Sequence, residues 1–96
     1  MPKRQKESLD EDQKKQRDEI LNILYANSAL CFLKKERYPD CIKSCKNAIE
    51  FDTNNPKAYY RMALAYKAEN DFDRAQDGFK QAIRLDPQNN ELRAEY

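Results

Sequence analysis

From residue 20 onward, apolar residues recur at helical spacing, and the whole pattern repeats after 34 positions. Shifting the chain by 34 residues aligns eight identical pairs: Tyr25 with Tyr59, Ala29 with Ala63, Leu30 with Leu64, Lys46 with Lys80, Ala48 with Ala82, Ile49 with Ile83, Asp52 with Asp86 and Asn55 with Asn89. An internal period of this length is typical of solenoid proteins, in which each unit is one supersecondary element stacked on the next. We therefore predict two equivalent units, 22–55 and 56–89.

Proline, asparagine and aspartate divide each unit into two helices. Pro56 follows Asn55, the order expected of a helix N-cap and the first helical residue, and Pro39 begins a second helix in the same way. In the second unit, Asn70 tolerates the left-handed conformation that ends a helix, and Asp71 can cap the helix that follows. The predicted fold is all-α, with helices at 22–35, 39–52, 56–69 and 72–85.

The segment before the first unit is predicted to be a helical extension. Ser8 and Glu11 have the spacing of a capping box, which begins a helix at the following residue. Most of 9–21 is charged or amide-bearing, so this stretch should be solvated helix rather than core. We expect 1–8 to be a disordered tail and 9–35 to be the longest helix, because neither glycine nor proline interrupts it.

Composition removes most enzyme and cofactor chemistry. The 96 residues contain no histidine and one glycine, so the usual general base, the commonest metal ligand and a glycine-rich phosphate loop are all missing. A net charge of +1 with interspersed signs argues against nucleic acid, and no apolar run approaches the ~20 residues of a membrane span. We predict that the chain has no enzymatic activity and binds no cofactor, metal, nucleic acid or membrane. The predicted location is the cytoplasm, with the nucleus as a second possible compartment.

Cysteine and aromatic side chains are predicted to pack rather than to react. Three thiols without histidine fall short of the four ligands of a zinc site, so Cys31, Cys41 and Cys45 are interpreted as small packing residues, with redox-sensitive thiols as the alternative. The aromatic residues have helical spacing without basic interleaving, which favours core over a nucleic-acid stacking surface. That set comprises Tyr25, Phe32, Tyr38, Tyr59, Tyr60, Tyr66, Phe72 and Phe79. Tyr60 is the exception, a candidate groove contact for a peptide.

The second unit carries a specific pattern of aromatic and small residues: Tyr59, Ala63, Tyr66, Ala75, Phe79, Ala82 and Pro87. With this pattern the chain resembles the tetratricopeptide repeat family. The first unit departs from the family pattern at its cysteines and its threonine. Its residues at the corresponding positions are Tyr25, Ala29, Phe32, Cys41, Cys45, Ala48 and Thr53. Glu36 and Asn70 replace the usual turn glycine. The resemblance implies antiparallel helix hairpins in a right-handed superhelix, in which the first helix of each hairpin lines a concave groove.

Two repeats are fewer than a stable array normally contains. About three are usually needed, because each unit buries its apolar faces only against a neighbour. The resemblance therefore implies a fragment that lacks an N-terminal repeat. It also makes 90–96 the beginning of a capping helix, with Leu92 and Tyr96 facing the last helix.

Three polar residues, Asn27, Lys57 and Arg61, are candidates for a peptide-binding site. Lys57 and Arg61 are four residues apart on one helical face, and Asn27 has the register in the first unit that Arg61 has in the second. Two cations beside an amide donor suit the carboxylates of an acidic chain terminus. The residues also resemble the two-carboxylate clamp of co-chaperones that grip the C-terminal Glu-Glu-Val-Asp of heat shock protein 90 or 70. The surrounding sequence is most similar to large immunophilins, which implies a separate prolyl isomerase domain in the parent protein.

Two other interpretations stay open. In the first alternative the three polar residues are solvated surface groups that have no ligand. The chain also fits a self-associating structural role, because Ile20, Leu24, Ser28 and Cys31 form a seam along the first helix that has no neighbour in this sequence. The predicted partner is therefore an acidic C-terminal peptide or, in the alternative, a second copy of the chain in a dimer or helix-swapped pair.

Overall fold

The computed structural model describes the backbone of residues 2–95 and the side chains of residues 10–94. Within that range the chain is helical throughout, apart from short turns, and contains no strand. The helices are α1 (Pro2–Lys34), α2 (Tyr38–Phe51), α3 (Pro56–Ala68), α4 (Phe72–Leu85) and α5 (Asn90–Glu95). The all-α prediction is confirmed, and α2, α3 and α4 begin and end within one residue of the predicted bounds.

The first helix is longer than predicted. It begins at Pro2 and includes residues that the sequence assigned to a disordered tail. The predicted start at residue 9 is therefore wrong, and the side chain of the supposed cap, Ser8, lies outside the described residues. The physical reason is local. Pro2 suits the first helical position, and the lysine, arginine, glutamine and glutamate residues after it are good helix formers, so nothing delays the helix until residue 9.

The predicted caps of α3 and α4 and both predicted turns are present, whereas α2 begins one residue before Pro39, with Arg37 at its N-cap and no side-chain hydrogen bond there. The Asn55 side chain accepts a hydrogen bond from the backbone N–H two residues later at 3.1 Å, and the Asp71 side chain accepts one from the N–H three residues later at 3.3 Å. Glu36 and Asn70 adopt left-handed backbone conformations, with φ of 60° and 66°. These two residues thus adopt the left-handed turn conformation for which glycine is the usual residue. Each turn allows the second helix of its hairpin to pack alongside the first.

Consecutive helices pack against each other in chain order, and α1 also contacts α3. Small residues occupy the interfaces, where Ala29, Ala48, Ala58, Ala63 and Ala82 are all completely buried. Alanine at these points lets the helix backbones approach closely, and the larger aromatic and aliphatic side chains fill the space around them. The first helices of the two hairpins, α1 and α3, thereby lie side by side and form one face of the molecule.

The single glycine lies where α3 and α4 approach each other closely. A Cβ atom on Gly78 in α4 would lie 2.8 Å from the Cβ of Ala63 and 3.2 Å from the backbone oxygen of Tyr59, both in α3. Real Cβ atoms do not come so close to another carbon, so a side chain at this position would push α3 and α4 apart. The glycine is required by packing and not by its backbone angles, which are helical.

Two packing predictions are wrong. Phe72, the first residue of α4, is 61% exposed, because the helices of the described range leave most of its ring uncovered. Cys31 is exposed on α1, whereas Cys41 and Cys45 are fully buried as predicted. At the other end, Leu92 is buried, but its predicted partner Tyr96 lies outside the described residues.

The outer face of α1 carries the predicted apolar seam. Ile20 and Leu24 are 57% and 55% exposed, and Ser28 and Cys31 are exposed as well. The structure adds Ile23, which is 56% exposed. Despite these apolar residues, none of the helices in the described range is both long enough and apolar enough to cross a membrane.

Candidate functional site

A groove of about 290 Å³ lies between α1, α3 and the junction of α4 with α5. Its lining combines apolar side chains with groups of both charge signs. The lining residues are Leu30, Leu33, Pro56, Lys57, Tyr60, Arg61, Leu64, Asp86, Asn89, Glu91 and Leu92. Three of the four residues singled out from the sequence, Lys57, Tyr60 and Arg61, are therefore brought together in one groove.

Lys57 and Arg61 occupy successive turns of one face of α3. The start of that helix is fixed by the Asn55 cap and by Pro56, which set the register of everything after them. Lys57 is exposed and Arg61 is half-buried. The groove thus has one mobile, strongly hydrated cation near its mouth and one guanidinium held deeper within it.

Arg61 is held in place by a contact with the neighbouring repeat. Its Nη1 donates a hydrogen bond of 2.6 Å to the backbone oxygen of Ala26 in α1. A guanidinium has five N–H donors in a planar fork, so this bond orients the group and leaves most donors for a ligand carboxylate. Arg61 therefore connects the two repeats, because its backbone is part of α3 and its guanidinium contacts α1.

Asn27 does not line the groove. It is exposed on α1, one residue beyond the Ala26 carbonyl to which Arg61 is bonded. The structure thus brings Arg61 to the part of α1 that carries Asn27, but it does not place Asn27 among the lining residues.

Tyr60 forms part of the groove wall through its packing. Its ring lies against that of Phe79 in α4, with centroids 5.9 Å apart and a tilt of 58° between the planes. The tilted geometry is a favourable arrangement for two aromatic rings and fixes the tyrosine ring. Tyr60 is half-buried, so a rigid ring with one accessible edge faces the groove.

A buried amide that the sequence analysis missed joins the two repeats beneath the groove. Asn22 is 4% exposed, and its Nδ2 donates to the backbone oxygen of Ala48 at 2.7 Å. Its Oδ1 accepts a hydrogen bond of 2.8 Å from the Nδ2 of Asn55, the cap of α3. One side chain therefore links α1, the end of α2 and the start of α3. The available signal was an amide within the apolar run 20–25.

The carboxylates of the groove were also missed. Asp86 and Glu91 line it from the end of α4 and the start of α5. Asp86 is half-buried and accepts a hydrogen bond of 3.3 Å from the Nδ2 of Asn89, whereas Glu91 is exposed. The repeated Asp52 and Asp86 were visible in the sequence as an identical pair, but nothing local placed the second of them beside Lys57.

The buried thiols lie behind Arg61. The Sγ of Cys41 donates to the backbone oxygen of Arg61 at 3.8 Å. A hydrogen bond from Cys45 lowers the pKa of Cys41, against the effect of burial and with help from the Arg61 charge. The same hydrogen bond, together with burial, raises the pKa of Cys45. Both side chains have no exposed surface, so they act as packing residues that support the backbone of the groove.

Comparison with known proteins gives a consistent picture. Residues 56–89 match the family model of the tetratricopeptide repeat. The mouse peptidyl-prolyl cis-trans isomerase FKBP4 is 40% identical over 65 residues, which cover 68% of this chain and 14% of FKBP4. The chain thus spans about one seventh of the length of that relative.

Two solved structures have the same fold. The tetratricopeptide repeat domain of Arabidopsis OM64 superposes with a TM-score of 0.75 at 29% identity, covering 76% of this chain and 60% of that one. The second such domain of human RPAP3, solved in complex with the HSP70 peptide SGPTIEEVD, gives a TM-score of 0.74 at 30% identity, covering 77% and 62%.

Proposed function

Since this chain is a tetratricopeptide repeat module for protein–protein interaction, we propose that its groove binds the acidic C-terminus of a partner, of the Glu-Glu-Val-Asp type found in heat shock protein 90 or 70. In this proposal Lys57, Arg61 and Asn27 receive the terminal carboxylates. The fold itself is one of interaction and not of catalysis, and the sequence shared with FKBP4 is confined to a small part of that enzyme.

The observation that carries the proposal is the arrangement of Arg61. Its guanidinium lines the same groove as Lys57 and is oriented by the 2.6 Å bond to the Ala26 carbonyl. An arginine that is already oriented loses little side-chain entropy on binding, and its fork matches the two oxygens of a carboxylate. A solvated surface arginine would have no such fixed direction.

The three residues have separable roles. Arg61 supplies paired, directional donors, and Lys57 supplies a point charge that can follow either carboxylate of a terminal aspartate. Asn27, exposed on α1, adds a neutral amide donor. The apolar residues Leu30 and Leu64 provide a dry surface for the aliphatic side chain that precedes the terminal aspartate.

Similarity to RPAP3 and FKBP4 supports the finer parts of the proposal. The RPAP3 domain of the same fold was solved with a heat shock protein 70 peptide that ends in Glu-Glu-Val-Asp. FKBP4 is a peptidyl-prolyl isomerase, so we include in the proposal a parent protein of the immunophilin class, working as a cytoplasmic co-chaperone.

Titration with peptides tests the proposal. The probes are SGPTIEEVD, the same peptide with an amidated C-terminus, and the matching terminal peptide of heat shock protein 90, each measured by calorimetry or fluorescence anisotropy. We expect binding on the order of 10 to 100 μM for the free carboxylate and at least about tenfold weaker binding after amidation. Equal binding of the amidated peptide would exclude the carboxylate site. The two free peptides together show which chaperone is preferred.

A second candidate function is self-association through α1. The observation that favours it is the exposure of more than half of the surface of Ile20, Ile23 and Leu24 on one helix. Two such faces can pair in a symmetric dimer. Sedimentation equilibrium across a concentration series tests this, with Ile20→Lys as the interface variant and Lys80→Glu, on exposed α4 surface, as the control. A monomer at every concentration excludes this function.

A further inference from the structure

Two side-chain hydrogen bonds join α1 to α3 across the boundary between the repeats. Arg61 of α3 donates to the Ala26 carbonyl at 2.6 Å. Asn55, the cap of α3, donates from its Nδ2 to the Oδ1 of Asn22 at 2.8 Å. Asn22 and Ala26 are about one helical turn apart on the same face of α1. The part of α3 that carries Lys57 therefore lies between two bonds to one face of α1.

The two bonds differ in their relation to a ligand. Arg61 is half-buried and lines the groove, so the carboxylate of a bound peptide competes with the Ala26 carbonyl for its guanidinium. Asn22 is 4% exposed and is not among the lining residues of the groove. The bond of Asn22 is therefore the one that holds α3 in place while Arg61 serves a ligand.

Apolar packing alone does not define how α3 lies along α1. At the centre of their contact, Ala26, Ala48 and Ala58 form one buried cluster. Methyl groups set the distance between helices but have no direction, so they tolerate a shift of one helix along the other. A hydrogen bond tolerates such a shift much less, because its strength depends on distance and angle. A single asparagine in an apolar helix interface fixes the register of coiled coils for the same reason.

Asn22 connects this register to the first turn of α3. Its Nδ2 donates to the backbone oxygen of Ala48 at 2.7 Å, which orients the amide and presents its Oδ1 to Asn55. The Oδ1 of Asn55 in turn accepts a hydrogen bond of 3.1 Å from the backbone N–H of Lys57. A series of three hydrogen bonds thus runs from the end of α2 through α1 to Lys57.

We propose that Asn22 is a positioning residue of the groove. It holds the start of α3 against α1 at the offset that presents Lys57 and Arg61 to one ligand, and it does not contact that ligand. This inference rests on the proposed carboxylate-binding function and adds to it a residue outside the groove lining. Asn22 contributes more to binding than to folding, because a small shift between α1 and α3 leaves the hairpins packed but misplaces the donors.

Asn22→Leu removes the bond with little change in side-chain volume. The carbonyl of Ala48 keeps its hydrogen bond of 3.0 Å from the backbone N–H of Asp52, and Asn55 is accessible to water. We therefore expect a folded chain with a melting temperature within about 5 °C of the parent. Binding of SGPTIEEVD should weaken about threefold to tenfold, because the donors lose their common direction.

The preference for a free C-terminus separates positioning from stability. A variant that is only less stable binds free and amidated SGPTIEEVD with the same relative loss, because both peptides need the folded chain. A shift of α3 lowers the preference for the free carboxylate, which should decrease at least about twofold in Asn22→Leu. Asn47→Leu makes the same change at a half-buried position on α2 outside the groove lining, and should leave both the Kd and the preference as in the parent chain.

A double-mutant cycle with Asn55→Ser identifies the bond that is responsible. Serine keeps an oxygen that caps α3, but its side chain is too short to reach the amide of Asn22. If the two side chains act through their shared bond, Asn55→Ser should weaken peptide binding about as much as Asn22→Leu does. The double variant should then lose no more affinity than either single variant.

The guanidinium of Arg61 gives a readout that needs no peptide. At low temperature the bond to Ala26 should slow rotation of the guanidinium, so that its two Nη groups give separate signals in nitrogen-15 spectra. Asn22→Leu should merge these signals, because Arg61 no longer stays within reach of the carbonyl. Asn47→Leu should keep them separate.

The outcomes distinguish this inference from the proposed function. If the parent chain prefers the free peptide, unchanged binding by Asn22→Leu overturns the inference and leaves the carboxylate site intact. A loss that is equal for free and amidated peptides, or that adds to the loss in Asn55→Ser, overturns it as well. Equal binding of the two peptides by the parent chain, or no binding up to about 1 mM, overturns the proposed function. Separate Arg61 signals in Asn22→Leu would in that case overturn the inference too.

Discussion

The two repeats share one backbone plan and fill it with different side chains. In the second, the rings of Tyr60 and Phe79 pack together at 5.9 Å, whereas the equivalent positions of the first hold Ala26 and Cys45. The first repeat has its own ring pair, Tyr25 stacked on Phe51 at 5.8 Å. A repeat thus fixes where helices cross, and the volume at each crossing is filled by whichever large side chain its neighbours leave room for.

The equivalent polar positions differ in the same way. Asn27 in the first repeat is exposed and does not line the groove, while Arg61, 34 residues later, reaches back to the first repeat and bonds to its backbone. The second repeat therefore has a neighbour on which its groove residue can be oriented. The first repeat, within this chain, presents its corresponding face with Ile20 and Leu24 exposed. Position in the array, more than residue type, decides which groups become ordered.

The largest difference between the repeats is expected in the unfolding free energy lost when the equivalent packing residues Phe79 and Cys45 are truncated. Phe79 is 3% exposed, so Phe79→Ala should lower the free energy of unfolding by about 3 to 5 kcal/mol and leave little folded protein. Cys45→Ala removes a single sulfur atom and should have a much smaller effect, on the order of 1 kcal/mol. Urea unfolding followed by circular dichroism measures both. Equal losses would mean that the two hairpins depend on these positions alike.

The equivalent groove residues should differ in their contribution to peptide binding. Arg61→Ala removes oriented, charge-assisted donors and should weaken binding of SGPTIEEVD by about 1.5 to 3 kcal/mol. Asn27→Ala removes an exposed neutral donor and should weaken binding of the same peptide by about 1 kcal/mol.

Calorimetric titration of each variant provides the measurement, and Lys80→Ala, on the exposed surface of α4, controls for loss of a positive charge. Unfolding curves recorded in parallel separate binding from stability, because Arg61 also connects α3 to α1. If Arg61→Ala binds as tightly as the parent chain, the carboxylate interpretation fails.

Alanine at the two equivalent small positions tests the difference in helix spacing. Gly78→Ala places a Cβ 2.8 Å from the Cβ of Ala63, so we expect a net loss of about 1 kcal/mol, since overpacking outweighs the gain in helix propensity. Ser44, its counterpart in α2, already has a Cβ, and Ser44→Ala should change stability by less than about 0.5 kcal/mol. Stabilisation by Gly78→Ala would show that α3 and α4 can separate freely.

The smallest expected change in unfolding free energy concerns the first residue of the second helix in each hairpin, α2 or α4. Phe72 is 61% exposed, so Phe72→Ser should alter the free energy of unfolding by no more than about 0.5 kcal/mol. Its counterpart Tyr38 packs against the core of the first hairpin, and Tyr38→Ser should cost about 1 kcal/mol or more. Thermal unfolding of the two variants shows whether the same register position is structural in one repeat and dispensable in the other.

The helices and their turns could be predicted because their causes are local. Pro56, Asn55, Asn70 and Asp71 act within a few residues of themselves, and the 34-residue period supplied an independent check on the helix bounds inside the two units. The start of α1 also has a local cause, because the uninterrupted run of helix-forming residues after Pro2 outweighs the capping-box pattern at Ser8. For the site, register alone placed Lys57 and Arg61 on one face of α3.

The remaining features depend on which distant residues the packing brings together. The Arg61 bond to Ala26 joins residues 35 apart, and the Asn22 bond to Asn55 joins residues 33 apart. Asp86 and Glu91 come to line the groove of Lys57 and Arg61 through the turn that joins α4 to α5. By itself the sequence determined two repeated helix hairpins and one cationic helix face. Only the tertiary structure decided that this face shares its groove with two acids, because contacts between separate helices depend on how the hairpins stack and leave no periodic mark in the chain.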